Sequence, residues 1–339
     1  MKKRLEYIDT LRVLACFLVI LTHSAMPAVN STDGIWYFSY SFVSSPSSEL
    51  FLALSGAVLL PVKVSMKEFY KRRFLKLLPP VLFWSVLIIL IYILLGKASV
   101  EDGIITLSQI FIKPVIGVYW FIYVIIGLYL LAPIISKWLI DASQRQVEFF
   151  LLLWSFNLIM PYINLFIPNI FQQTGSHYWM LNYFGGFLGY WMLGYYLRRF
   201  PILIGLNKRF ITISILFFCY CLFIGFMKIN NQNVGEYIDN LQIGSALGVI
   251  LLFTIIQNLT HIPNRIQSLI ALIAKYSFGI YLVHIIIARE LVWRLFEHMR
   301  FSPLLETPTI AFISLILSFF VLYFLSKLPF GKYITGVGK

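Results

Sequence analysis

The chain has 339 residues, of which 60% are hydrophobic and only 12% charged, and its mean hydropathy is +0.83. Soluble domains run at roughly 45–50% apolar and about 25% charged, so these few charges cannot cover a soluble surface; the same figures exclude disorder, coiled coil and collagen. The formal charge of +13 would suggest nucleic acid in a soluble protein, but in a polytopic membrane chain it is first a topology signal.

Taken in chain order, Met1-Lys2-Lys3-Arg4 and the apolar run from Leu11 imitate a secretory signal peptide. His23 interrupts that run, Asp9 and Arg12 sit at its edge, and apolar segments follow along the chain. A retained first span is the better expectation. A span needs ~20 mostly apolar residues. Ten segments qualify: 11–28, 42–61, 79–96, 117–136, 147–167, 179–200, 210–228, 240–258, 277–293 and 307–326. Leu269 to Ala274 leaves room for a short extra helix.

Placing the N-terminus in the cytoplasm and alternating puts 21 of the 27 Lys and Arg residues inside. Lys97, Lys113, Lys228, Arg289, Arg294 and Arg300 fall outside. This asymmetry predicts cytoplasmic N- and C-termini and an even number of spans. Runs of this length without period-two alternation satisfy their backbone bonds internally, as helices do and barrel strands do not. The expected fold class is therefore all-α, a polytopic membrane helix bundle of about ten transmembrane helices. It is read as one domain over residues 1–339 with no separate soluble domain. Gly185-x-x-x-Gly189 and Gly244-x-x-x-Gly248 are expected to mark close helix packing. Cys16, Cys219 and Cys221 lie in apolar runs and read as small buried residues.

Ionisable groups inside spans are costly and are candidates for function. On the first span, Arg12 and His23 are eleven residues apart, which places them within about 20° of one helix face and ~16 Å apart along the axis. A snorkelling arginine and a histidine bonded to a neighbouring helix would account for them equally well. Glu49 lies on the next span, at nearly the depth of His23. A carboxylate and an imidazole at one depth suit an orienting hydrogen bond, while a neutral, structurally bonded glutamate is the alternative. Tyr281 and His284 share a helix face at i, i+3; a second catalytic histidine, a substrate-positioning one and a packing one are all open. The basic segment Lys63…Lys67…Lys71-Arg72-Arg73…Lys76 ends in Leu77-Leu78-Pro79-Pro80. By spacing alone it is a topology signal or an attraction to anionic lipid before it is a phosphate site. His177, His261 and His298 fall in loops or at interfaces, and the sequon Asn30-Ser31-Thr32 abuts the membrane. Metal spacing, a Gly-x-Ser-x-Gly elbow, a Walker loop and a dinucleotide fingerprint are all missing from the sequence, so no metal and no permanently bound cofactor are expected.

An ordered set of motifs resembles the acyltransferase 3 family of polytopic membrane proteins. Arg12, ten residues and His23 match its Arg-x10-His signature. Glu49-Leu50-Phe51-Leu52-Ala53-Leu54-Ser55-Gly56 is similar to its acidic-aromatic-Ser-Gly segment, with Phe51-Leu52 where the family pairs two aromatics and Glu49 where Asp is commoner. The basic segment ending at Pro79, Tyr119-Trp120-Phe121, and Ser277-x-x-x-Tyr281-x-x-His284 follow in the family's order. The resemblance implies transfer of an acyl group, usually acetyl from acetyl-CoA, to a hydroxyl of a cell-surface or lipid-linked carbohydrate. His23 would be the general base and Glu49 would orient it. Arg12, Lys71, Arg72 and Arg73 would hold the donor's phosphates, and Tyr119, Tyr281 and His284 would position substrate. Trp36, Tyr37 and Trp179 are compatible with sugar stacking. The implied partners are acyl-CoA, the carbohydrate acceptor and membrane lipid, with no nucleic acid, and the implied location is the bacterial plasma membrane. The rival reading is an exporter of a polysaccharide or lipid-linked sugar, since helices with polar groups at mid-membrane also suit transport.

Overall fold

The computed structural model describes residues 5–25, 42–166, 180–205, 207–230, 239–259, 262–296 and 302–337. Among them the regular structure is helical and no strand occurs. The helices are α1 (Glu6–Ser24), α2 (Ser47–Leu59), α3 (Met66–Leu94), α4 (Val100–Ser108), α5 (Trp120–Asp141), α6 (Gln144–Phe166) and α7 (Leu188–Arg199). They continue with α8 (Lys208–Ile229), α9 (Ile243–Asn258), α10 (Asn264–Ile286), α11 (Trp293–Phe296), α12 (Pro303–Leu325) and α13 (Gly331–Thr335). Residues Ile287–Val292 join α10 to α11 as a π-helical segment.

Among the described residues, seven stretches are long and apolar enough to cross a bilayer: Glu6–Ser24, Phe42–Leu59, Met66–Leu94, Gly117–Asp141, Lys208–Ile229, Asn264–Phe296 and Leu304–Leu325. The chain is an all-α, multi-pass membrane protein. Each of the other three expected segments also overlaps a helix. α7 and α9 have only 12 and 16 residues, short of the ~20 that span a bilayer unaided. α6 opens on the polar stretch Gln144-Arg145-Gln146 and carries Glu148.

Three boundaries differ from the sequence reading. From Lys67 on, the basic segment is not a connection before Pro79 but the first turns of α3, which starts from Ser65 and runs through Pro79 and Pro80; Lys63 alone precedes the helix. Ser65 Oγ accepts the Glu68 amide at 3.3 Å, so the helix is capped well before the prolines. Membrane helices tolerate such prolines where the freed carbonyls find other donors. The expected connection after residue 96 contains α4, started by a reciprocal Ser99–Asp102 capping box. Hydrogen bonds from Ser99 hold the Asp102 carboxyl below its usual pKa. Leu269–Ala274 is no extra helix; it is part of α10.

The residues fall into two compact units. The first comprises Met1–Ala15, Ser41–Val62 and Ile134–Pro263; the second comprises Cys16–Tyr40, Lys63–Pro133 and Asn264–Lys339. In the first, α2 and α7 touch backbone to backbone. A Cβ on Gly56 would lie 1.9 Å from the Trp191 carbonyl oxygen, and one on Gly194 would lie 1.7 Å from that of Ala53. Glycine alone permits this approach. Gly189 faces the Trp154 ring and Gly244 the Tyr220 ring, each about 2.0 Å from an added Cβ, while Gly248 meets Pro46 at 3.3 Å. The packing expected of Gly189, Gly244 and Gly248 is what the structure contains. The tighter pair, Gly56 and Gly194, lies outside both small-xxx-small patterns.

In the second unit α3, α10, α12 and α13 pack together. Trp84 Nε1 on α3 donates to the Ile334 carbonyl at 3.0 Å. Tyr276 of α10 shares a 3.0 Å hydrogen bond with Ser326, which follows α12. Gly336 ends α13 with φ +66°, and a Cβ there would fall 2.6 Å from the Phe278 ring.

Gly56→Ala and Gly194→Ala each force α2 and α7 apart, and overpacking of this kind costs about 1–3 kcal/mol. Both variants are expected to melt well below the parent in detergent. Gly127→Ala is the control, because a Cβ at Gly127 meets nothing within 4 Å.

Candidate functional site

His23, Tyr119, Tyr281 and His284 all belong to the second unit. α1 carries His23 in its last turn. α10 carries Tyr281 and His284 close to its end, so their i, i+3 spacing places them on one face. Tyr119 ends the 3-10 turn Gly117–Tyr119 that leads into α5.

His23 and His284 face one another with ring centroids 5.4 Å apart and planes inclined by 36°. His284 is fully buried. Its Nδ1 lies 2.7 Å from the Tyr281 carbonyl oxygen. A carbonyl can only accept, so Nδ1 carries the hydrogen, and in the neutral ring Nε2 keeps its lone pair. That Nε2 is buried and has no hydrogen-bond partner among the described residues. His23 is half-buried. One imidazole is thus locked in tautomer and orientation, while the other keeps some access.

The wall beside this pair is tied down by a reciprocal clamp. Tyr119 Oη donates to the Leu282 carbonyl at 2.7 Å, and Tyr281 Oη donates to the Val118 carbonyl. Phe121 stands 5.5 Å from the Tyr281 ring, and Tyr281 stands 5.9 Å from His284. Both phenols spend their hydroxyl hydrogens on backbone carbonyls, which holds the 3-10 turn against α10.

The π-helical turn begins three residues after His284 and was not foreseen from the sequence. Its Glu290 pairs with Lys97 at 2.5 Å and with Arg294 at 3.0 Å. Its Arg289 lies over the Trp293 ring at 5.8 Å. Single π turns inside helices occur often at functional sites. The only trace of it in the sequence is Arg289-Glu290 within an otherwise apolar segment.

The basic residues Lys71, Arg72 and Arg73 also lie in the second unit, on α3. Lys71 is exposed. Arg72 pairs with Glu68, and Arg73 lies over the Phe69 ring at 5.7 Å.

Arg12 and Glu49 lie in the first unit. Arg12 Nη1 pairs with Asp9 at 3.4 Å. Glu49 is fully buried on α2; Ser48 donates to its Oε1 at 2.9 Å, and Oε2 has no partner among the described residues. Trp36, Tyr37, Trp179, His177, His261, His298 and the sequon at 30–32 lie outside the described residues.

Membrane-spanning helices that converge two imidazoles and two phenols define a polytopic membrane protein with a polar centre in apolar surroundings. The chain belongs to the acyltransferase 3 family, whose acyltransferase domain matches residues 5–326. Among curated proteins it is similar to the "Probable poly-beta-1,6-N-acetyl-D-glucosamine export protein" of Staphylococcus aureus strains MSSA476, MW2 and MRSA252. In each case the identity is 27% over 246 residues, covering 68% of this chain and 67% of the relative. No solved structure matches it.

Tyr119→Phe and Tyr281→Phe each remove one arm of the clamp. Each is expected to cost about 0.6–2 kcal/mol, read as a lower melting temperature of the purified protein. The double variant should lose less than the sum of the two, because either bond alone already loosens the same contact.

Proposed function

We propose that the protein is a membrane O-acyltransferase that moves an acyl group, acetyl in the simplest case, from acyl-CoA to a hydroxyl of a cell-surface or lipid-linked carbohydrate. The family supports acyl transfer in a membrane. The observation that carries the mechanism is the fixed His284, with Nδ1 on the Tyr281 carbonyl and an Nε2 without a partner among the described residues, beside His23.

In this reading His23 is the general base, because it is the imidazole with access to an incoming hydroxyl. A neutral imidazole is suited to the task near pH 7. His23 takes the hydroxyl proton as the oxygen attacks the thioester carbonyl. The C–S bond breaks, and the proton passes to the departing sulfur, giving the ester and free CoA. His284 positions His23 or the substrate, and the Tyr119–Tyr281 clamp keeps that wall in place. Lys71, Arg72 and Arg73 supply cations for the donor's phosphates from the cytoplasmic face, the side to which the basic excess assigns them. The bacterial plasma membrane is the corresponding location.

A second reading is favoured by the name of the Staphylococcus aureus relatives, which describes export of poly-β-1,6-N-acetyl-D-glucosamine. Transport of such a polymer through this chain would need no acyl donor.

Purified protein in lipid vesicles, given labelled acetyl-CoA and a sugar acceptor, is expected to transfer label. His23→Ala should lower kcat by about 10²–10⁴-fold, the usual worth of a general base. His284→Ala should lower it by about 10²-fold through misplacement, with partial rescue in His284→Asn, whose side-chain amide can again donate to the Tyr281 carbonyl. Full activity in folded His23→Ala would remove the proposal, and polymer flux in the absence of any acyl donor would favour export.

A further inference from the structure

The first unit holds a cavity of about 550 Å³ among α6, α7, α8 and α9. None of the residues given a role above lines it, and its walls are mostly aliphatic, including Leu151, Leu158, Ile213 and Leu247. Its charged lining residues gather at one end. There Arg209 pairs with Glu148 at 3.2 Å and donates to Tyr196 Oη at 2.8 Å, while Tyr196 donates to Glu148 at 2.6 Å. Glu148 is therefore fully engaged and balances Arg209. Lys208, next to it on the rim, is exposed and has no ion-pair partner among the described residues. The rim thus carries one uncompensated positive charge.

The cavity's length is informative. Glu148 and Leu158 are ten residues apart on α6 and both line it, which corresponds to ~15 Å at 1.5 Å per residue. Half of a ~30 Å hydrocarbon core is about the same depth. A cationic rim above an apolar slot one leaflet deep is complementary to a single lipid from that leaflet.

The geometry points to a binding site for an anionic phospholipid, with one acyl chain in the slot between α6 and α8 and its phosphate on Lys208. The aliphatic walls replace neighbouring lipid tails around the chain. The phosphate fits the rim because Lys208 is the cation that no carboxylate there answers, while Arg209 is held in place by Glu148 and Tyr196. A zwitterionic lipid offers the same tail but brings its own cation to Lys208 and gains less. The site is independent of the acyl-transfer reading, since none of its residues belongs to the His23–His284 centre.

The test uses the full chain purified in detergent and titrated with dioleoyl phosphatidylglycerol or dioleoyl phosphatidylcholine, with retained lipid counted by native mass spectrometry. One phosphatidylglycerol per chain is expected to bind about fivefold more tightly than phosphatidylcholine, the worth of one cation near an anionic headgroup. Lys208→Ala should remove that preference without touching the fold. Thr212→Trp, which fills the slot from α8, should lose both lipids. Phe218→Trp, on the same helix but outside the cavity lining and 62% exposed, should bind like the parent and serves as the folding control. Equal binding of the two lipids by the parent, or undiminished phosphatidylglycerol binding by Thr212→Trp, would overturn the site.

Discussion

A carbonyl oxygen placed in hydrocarbon has no water to turn to, and that constraint organises this molecule. Helices answer it along their length. Where helices end, turn or cross, side chains answer instead, and here they are mostly aromatic. Trp84 donates to Ile334, Tyr119 to Leu282, Tyr281 to Val118, Trp154 to Gly186 and Tyr190 to Asn240, each time to a backbone carbonyl. Such side chains combine a large apolar body with a single donor at the tip, which suits a bilayer chain in which 17% of residues are aromatic. The same logic sets the candidate centre. His284 gives its Nδ1 hydrogen to the Tyr281 carbonyl and is left with a lone pair on Nε2 that none of the described residues occupies. A structural obligation and a chemical opportunity thus fall on the two nitrogens of one ring.

Close helix approach supplies the second constraint. Without a hydrophobic drive between helices in lipid, association rests on packing, and the first unit takes this to backbone contact at Gly56 and Gly194. Gly56 is also the glycine of the Ser-Gly motif that resembles the acyltransferase 3 pattern. Its place against Trp191 explains that motif position by geometry alone, with no need for a role in chemistry. Glu49, seven residues earlier on the same helix, is a different case, because burial of a carboxyl with one oxygen unpartnered among the described residues is not a packing solution.

Hydrophobic runs were enough to place the seven stretches that qualify as spans among the described residues, because a span must be long and apolar wherever its neighbours lie. Capping chemistry was equally local: Ser99 and Asp102 announce α4 to a reader who looks for the box, and Ser65 moves the start of α3 upstream of Pro79. The motif spacing likewise brought Arg12 and His23 onto one helix and Tyr281 and His284 onto another. What escaped the sequence was long-range or cooperative. α7 and α9 are shorter than a bilayer is thick, and an apolar run does not reveal where its helix stops. The π turn after His284 depends on how α10 packs, with only Arg289-Glu290 as a trace.

The sequence by itself determined the class of molecule. Its apolar content, charge asymmetry and motif order, none of which depends on a partner segment, point to an all-α membrane protein and to its family. Only the tertiary structure decided that His284, 261 residues beyond His23, stands against it, which of its nitrogens is committed, and that Tyr119 and Tyr281 donate to the carbonyls of Leu282 and Val118, each next to the other tyrosine. It alone also placed Lys208 on the rim of an apolar slot beside a glutamate already taken by Arg209. Those facts rest on distances between residues far apart in the chain, and such distances are settled by packing, not by composition or spacing.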